Sequence, residues 1–320
     1  MHVDRVASAL PLAIRFLRWK GARRGLAALA LLAGLSAGAG CGGEADGAGA
    51  GARVAWVDPD GEPPYIGSLS VNPKDGSLLM GTNTGLFRIA RVGGRPRKTT
   101  GTLTTPEGAG RISEALVARY TGPDQLIASG HPSSSAALPP VLGLIRSTDD
   151  GRTWTSVSQL GTADFHVLAR SGRLLVAPLY GQAQILTSRD GGTTFTPRVG
   201  PLPFVDLAVD PRDARRWVGT SEQGTYVSHD QGKTWRQRDT TPHARVVWPE
   251  PDALVRVDPG GRVSASADGG VSWQDRGRAN GEPQALAADE KGTLYLADLS
   301  GEVSRSTDGG ATWRTLVGGA

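Results

Sequence analysis

One eight-residue stretch, written five times, constrains this chain more than any other feature: STDDGRTW (Ser147 to Trp154), SRDGGTTF (Ser188 to Phe195), SHDQGKTW (Ser228 to Trp235), SADGGVSW (Ser266 to Trp273) and STDGGATW (Ser306 to Trp313). From one aspartate to the next (Asp149, Asp190, Asp230, Asp268, Asp308) the steps are 41, 40, 38 and 40 residues. A fixed period of that size is the mark of a chain built from equivalent units. The residue types explain the recurrence. Between two strands, an aspartate accepts hydrogen bonds from the N–H groups of its own turn, glycine takes the positive φ that other residues avoid, and serine or threonine hydroxyls satisfy what remains. The aromatic then opens the next strand as a large apolar anchor. The stretch reads as a hairpin clasp with a structural role.

The pattern S-x-D-x-G-x-T-W is identified as the Asp box, or bacterial neuraminidase repeat. Similar boxes occur in sialidases, other glycoside hydrolases, sortilin-like receptors and a photosystem II assembly propeller. The resemblance therefore implies a fold and leaves the reaction open.

The same four-part sentence is written six times. Its apolar first strands are Ile66 to Val71, Ala115 to Val117, Phe165 to Leu168, Val205 to Val209, Val246 to Trp248 and Ala285 to Ala288. A turn, two further strands, the box and a fourth strand complete each unit. Four short strands in about 40 residues is a propeller-blade meander. The expectation is an all-β, six-bladed β-propeller of four-stranded antiparallel blades over residues 53–320, with seven blades as the alternative. How the ring closes is left open: Val54 to Val57 either add a strand to the last blade or cover its edge.

Two units depart from the pattern. In the first, the box has decayed into Ile89-Ala90-Arg91-Val92-Gly93-Gly94. The second carries an insertion, Gly130 to Pro140, between its second and third strands. In a meander, loops joining strands two to three and blade to blade share one face, opposite the box turns. The insertion therefore overhangs the mouth of the ring, and inserted loops on rigid scaffolds often carry function.

Charge argues against a nucleic-acid partner. The formal net charge is +4, but Arg5, Arg15, Arg18, Lys20, Arg23 and Arg24 stand against Asp4 in residues 1–40, leaving the remainder near neutrality. That basic start precedes the short apolar run Gly25 to Leu35 and small residues up to Cys41, the layout of an export signal. The segment Ser36-Ala37-Gly38-Ala39-Gly40-Cys41 resembles a bacterial lipobox, with Gly38 where leucine is usual, and Cys41 is the only cysteine. Lipidation of Cys41 is expected, simple secretion being the alternative. Export by the general or the twin-arginine route stays open. Residues 41–52 read as a flexible tether. The expected product is an extracytoplasmic, membrane-anchored monomer with no cofactor and no metal.

Candidate ligand-binding residues lie at first-strand starts and on the insertion: Tyr65, Arg111, His131, His166, Arg245 and Trp248. Candidate catalytic carboxylates are Asp164, Asp206, Glu114 and Glu250. Strand alternation would point Asp164 and His166 of Asp164-Phe165-His166 to one side, with His131 nearby. A sialidase resemblance implies three arginines holding a carboxylate, a tyrosine nucleophile with its glutamate, and an aspartate acid/base. Only Arg111 and Arg245 start first strands here, and Arg88 falls at the repeat position of Arg146 and Arg305, so the triad is not found. A generic glycosidase needs two carboxyls roughly 5 to 10 Å apart across a cleft, which these candidates could supply.

Over the expected exported length the chain is similar to the bacterial Asp-box lipoproteins called glycosylhydrolase-like. The resemblance runs through Leu69-Ser70-Val71-Asn72-Pro73, Gly85-Leu86-Phe87-Arg88, Ser129-Gly130-His131-Pro132, Asp164-Phe165-His166-Val167-Leu168, Asp206-Leu207-Ala208-Val209-Asp210-Pro211 and Trp248-Pro249-Glu250-Pro251-Asp252. Where members of that group carry histidines, this chain has Tyr65 and Gly67. The resemblance implies recognition of an extracytoplasmic glycan or similar ligand at the mouth, with hydrolysis possible. The alternative is a non-enzymatic receptor or assembly scaffold with a protein partner. On this reading Cys41→Ser moves the protein from the membrane fraction to the soluble fraction of an expressing bacterium, measured by fractionation and immunoblot; an unchanged distribution rules out the anchor.

Overall fold

The computed structural model describes residues 64–90, 94–99, 101–106, 108–133 and 136–318. The expected export signal, Cys41, the tether and the Val54 to Val57 segment lie outside them. The described residues form strands and no helix. Five antiparallel sheets of four strands each follow chain order, each strand pairing with the next. Blade one holds Ile66–Val71, Leu78–Thr82, Gly85–Ile89 and Arg97–Thr99. The other four occupy units three to six, their innermost strands being Ala169–Ser171, Asp206–Val209, Arg245–Val247 and Pro283–Ala288.

Unit two corrects the expected blade count. It is a closed sheet of five strands, Thr102–Thr105, Gly108–Gly122, Gln125–Pro132, Leu144–Ser147 and Thr153–Ser158. The ring therefore has five four-stranded blades rather than six or seven. The cause is the 15-residue strand Gly108–Gly122, whose register shifts twice between Ile112 and Val117. Such bulges bend a strand. Its second half serves as an innermost strand, while its first half turns outward and pairs with Thr102–Thr105. That short strand then runs parallel to the outer strand, setting Leu103 opposite Trp154. Leu103 and Trp154 are both fully buried, in a core with Leu126, Ala128, Leu142 and Ile145.

The serine–aspartate part of the clasp has one geometry throughout. In unit four, Ser228 Oγ donates to Asp230 Oδ1 (2.8 Å) and accepts the N–H of Gly232 (2.9 Å). Asp230 then accepts the Thr234 N–H (2.9 Å) and hydroxyl (2.7 Å). Gly232 has φ +74°, and a Cβ there would run into the Trp217 ring, so the position requires glycine twice over. The Trp235 indole closes the turn on Gly232 O (3.1 Å). Blade one, which has no box, is tied instead through Arg88, whose guanidinium donates to Tyr120 and to Asp150 in the neighbouring unit. Arg146 and Arg189 reach across in the same way, to Gly191 O (2.9 Å) and Gln231 Oε1 (3.1 Å). Arg88 and Arg146, at one repeat position, and Arg189, within a box, are thus ties between units.

Ring closure brings unit six against blade one. Ile66, Leu69, Met80 and Phe87 share a core with Ala285, Ala287, Tyr295 and Val317. The Ile66 N–H donates to Gln284 Oε1 (2.8 Å). Ser228→Ala removes a donor and an acceptor from a buried turn, which costs about 1 to 2 kcal/mol. That lowers the melting temperature by roughly 2 to 4 °C per kcal/mol in a domain of this size, as calorimetry will show.

Acid tests the clasp separately. The Thr234 N–H, then the Thr234 and Ser228 hydroxyls, outweigh desolvation and hold the Asp230 carboxyl at about 2. A depressed folded-state value gives stability that is present above the ordinary aspartate range near 3.9 and lost as pH falls through about 2. Asp230→Asn therefore destabilises the protein at neutral pH and narrows its gap to the parent below pH 3, read from melting temperatures across pH.

Candidate functional site

The face opposite the box turns carries the candidate site, at the junction of units two and three. The second strand of unit two runs to Pro132 and carries His131 near its end, and Glu114 lies across from His131 in register. The linker into unit three supplies Asp164 and His166. This stretch is not the expected strand: the innermost strand of unit three begins only at Ala169, and Phe165 makes a single bridge to Leu179. Burial explains the detour. Phe165 is fully buried between the two units, and its N–H reaches Ser129 Oγ (3.3 Å).

Anchoring Phe165 brings its two neighbours together. His166 Nε2 lies 3.3 Å from Asp164 Oδ2, and His131 Nε2 lies 3.8 Å from the same oxygen. On its other side, His131 Nδ1 is 3.1 Å from Glu114 Oε2. These approaches lack hydrogen-bond alignment, so His131 Nδ1, Asp164 Oδ1 and His166 Nε2 are buried atoms without a hydrogen-bond partner. Desolvation pushes the Asp164 carboxyl up, but the close approach of His166 and then of His131 outweighs it and holds it below the ordinary aspartate range. Tyr180 completes the site. Its ring stacks on His166 at 3.8 Å between centroids, 19° from parallel, while the residue stays 63% exposed. Tyr180 sits on the loop between strands two and three of its blade, so a search confined to first-strand starts passes over it; being a tyrosine on a mouth-side loop was its available signal.

The remaining candidates disperse. Asp206 faces the lumen, but its two oxygens accept the N–H groups of Leu207 (2.8 Å) and Val246 (3.0 Å), which makes it a tie between units four and five. Burial raises its carboxyl, against the opposing pull of Arg245, those N–H groups and Arg119. Arg245 lines the lumen and donates to Val205 O (3.1 Å). Trp248 and Glu250 do not reach the mouth. The strand Arg245–Val247 has only three residues and runs toward the box side, so the chain beyond Val247 emerges there. Trp248 is buried, with its indole on Pro251 O (3.0 Å) and the Arg216 guanidinium 5.2 Å above its ring. Tyr65 is exposed at the start of blade one, and Arg111 is exposed beneath the inserted loop, where its carbonyl accepts the Ser133 N–H (3.0 Å). Gly67 admits no side chain, since a Cβ there would meet Leu116 O at 2.5 Å. No group of three or more His, Cys, Asp or Glu side chains is placed to hold a metal ion among the described residues.

The lumen itself is narrow, with a cavity of about 40 Å³ among Arg119, His166, Asp206 and Arg245. A ligand of any size therefore meets the mouth rather than the channel.

Comparison with known proteins agrees with this architecture. The BNR/Asp-box repeat family matches residues 226–237. No curated protein sequence matches the chain. Among solved structures, YCF48 bound to D1 peptide superposes with a TM-score of 0.54 at 13% identity, covering 81% of this chain and 98% of that one. YCF48 from Cyanidioschyzon merolae gives 0.51 at 12% identity, over 73% and 93%. An ancestral GH74 enzyme gives 0.50 at 12% identity, over 80% of this chain and 38% of its own. At these identities the likeness is one of fold: the chain is a β-propeller-like protein with a match to the BNR/Asp-box repeat at residues 226–237.

Proposed function

We propose that this propeller binds a hydroxyl-rich ligand, a glycan outside the cytoplasm, at the mouth between units two and three, and does so without turnover. The observation that carries the reading is the set of three buried polar atoms, on His131, Asp164 and His166, left without hydrogen-bond partners beneath an exposed tyrosine ring. Buried polar atoms left unpaired cost about 1 to 3 kcal/mol each. A sugar supplies hydroxyls that both donate and accept, and its C–H face packs on an aromatic ring, the usual mixture of apolar wall and a few placed polar groups in a ligand site.

Hydrolysis is the weaker reading because the carboxylates have the wrong properties. A glycosidase acid must hold its proton near neutral pH, which requires a raised carboxyl. Asp164 is lowered, Asp206 is raised but has its oxygens occupied by backbone N–H groups, and Glu250 belongs to the other face. A peptide, of the kind that the YCF48 propeller of similar fold is bound to, is the alternative ligand.

A glycan array, with chromogenic glycosides alongside, tests the proposal. The parent is expected to bind a defined set of glycans and release no chromophore. Tyr180→Ala and Asp164→Asn are each expected to weaken binding by on the order of tenfold, about 1.4 kcal/mol. Because Tyr180 is exposed, its variant keeps the parent melting temperature. Because the Asp164 carboxyl lies low, binding persists below the pH at which an ordinary aspartate, near 3.9, takes up its proton. Failure to retain any glycan, with a peptide library bound instead, turns the reading to the scaffold.

A further inference from the structure

The box-turn face, opposite the mouth, holds a second feature that the glycan reading leaves unused. Between units two and three, a cavity of about 390 Å³ is lined by four arginines, Arg146, Arg170, Arg173 and Arg189, together with Thr148 and Gln125. Among the described residues no aspartate or glutamate lines it. None of the four arginines takes part in an ion pair, among described residues where Arg88, Arg215, Arg216, Arg256 and Arg262 all do.

Each guanidinium is only partly engaged. Arg146 and Arg189 donate through one nitrogen each to the neighbouring box, and Arg170 donates to Gly172 O (3.3 Å). Guanidinium has five N–H donors, so most remain open toward the cavity. Arg170 also lines a larger adjoining cavity of about 580 Å³, which Arg119 enters from the lumen. Burial pushes the guanidinium of Arg119 and of Arg170 below the usual range, and Arg170's own charge adds to the effect on Arg119. Four like charges around one concave space repel each other, and outside residues 1–40 the chain has no general excess of positive charge to account for the grouping.

We infer that this cleft is an oxyanion site for a phosphate-bearing ligand, with Arg170 as its floor and Arg146, Arg173 and Arg189 as its walls. The arginine fork matches the oxygens of phosphate in pairs. A ligand carrying two or more negative charges answers several forks at once, whereas a single carboxylate answers one. The chemistry is common to a soluble phosphate ester and to the headgroup of an anionic phospholipid. A membrane surface brought close by an anchor at Cys41 would present the second.

Calorimetric titration of the full chain with inorganic pyrophosphate, and co-sedimentation with phosphatidylglycerol vesicles against phosphatidylcholine vesicles, test the site. The Arg173→Gln/Arg189→Gln pair is expected to weaken pyrophosphate binding at least tenfold, or to abolish the phosphatidylglycerol-dependent part of sedimentation. Arg173 is exposed and is not one of the arginines that tie units together, so Arg173→Gln is expected to keep the parent melting temperature and serves alone if loss of the Arg189 tie to Gln231 lowers that of the pair. Tyr180→Ala, on the opposite face, leaves both readouts unchanged, which separates this site from the glycan mouth. Pyrophosphate binding without sedimentation assigns a soluble ester, and selective sedimentation assigns the lipid. Absence of both, or either one undiminished in the arginine variants, overturns the inference.

Discussion

Among the described residues neighbouring units of this ring share no sheet pairing, so what joins one innermost strand to the next there is made by side chains. Polar residues inside an otherwise apolar core do this. Ser68 and Ser70 of blade one accept the N–H groups of Ala118 (3.0 Å) and Tyr120 (2.9 Å) in unit two. Ser129 accepts from Phe165 in unit three, Ser171 donates to Asp210 O in unit four (2.7 Å), and Thr220 donates to Ala244 O in unit five (2.6 Å). Gln284 returns the circuit to Ile66. Each bond is worth about 0.5 to 1.5 kcal/mol net, and losing one partner costs more because the other stays buried and unpaired. The fold thus depends on a belt of short polar side chains placed where sheet hydrogen bonds end. Between units five and six the junction is apolar, with Val247, Val255 and Val257 packed on Leu286 and Leu296.

The two faces follow from this plan. On one, five near-identical clasps bind each outer hairpin to itself, and arginines reach from three units into the next box. On the other, the connections are free to differ, and the inserted loop and the Phe165 detour use that freedom. The detour matters chemically because a buried anchor flanked by two polar residues presses both toward one place. Asp164 and His166 meet because Phe165 is held, not because strand alternation aligns them.

Much of this was legible in the sequence, and the reasons differ by element. The box spacing is local and strict, so unit length, strand order and clasp positions could be read directly. His131 was placed near Asp164 and His166 because an insertion between strands two and three can emerge only on the mouth side. The closed sheet was not legible: Thr102–Thr105 pairs in parallel with a strand some fifty residues later, and no local pattern announces such a partner. Asp206 looked like a free carboxylate because its distinguishing feature, the Val246 N–H, arrives from 40 residues away. Trp248 and Glu250 were misplaced by a strand three residues long, since a short innermost strand puts its end, not its beginning, next to them.

Closing the sheet of unit two also removes a hazard that the five blades retain. An outermost strand with unpaired backbone groups is a template onto which another chain can zip. In unit two, Thr102–Thr105 fills that place. Elsewhere the perimeter is Arg97–Thr99, Thr196–Val199, Arg236–Asp239, Gln274–Arg278 and Arg314–Val317, and every one of these segments carries at least one arginine. Two copies meeting rim to rim would set cation against cation before any backbone could pair. Resistance to fibre-like self-assembly is therefore built into the backbone pairing of one unit and left to electrostatic repulsion in the rest, so concentrated salt should expose the difference between them.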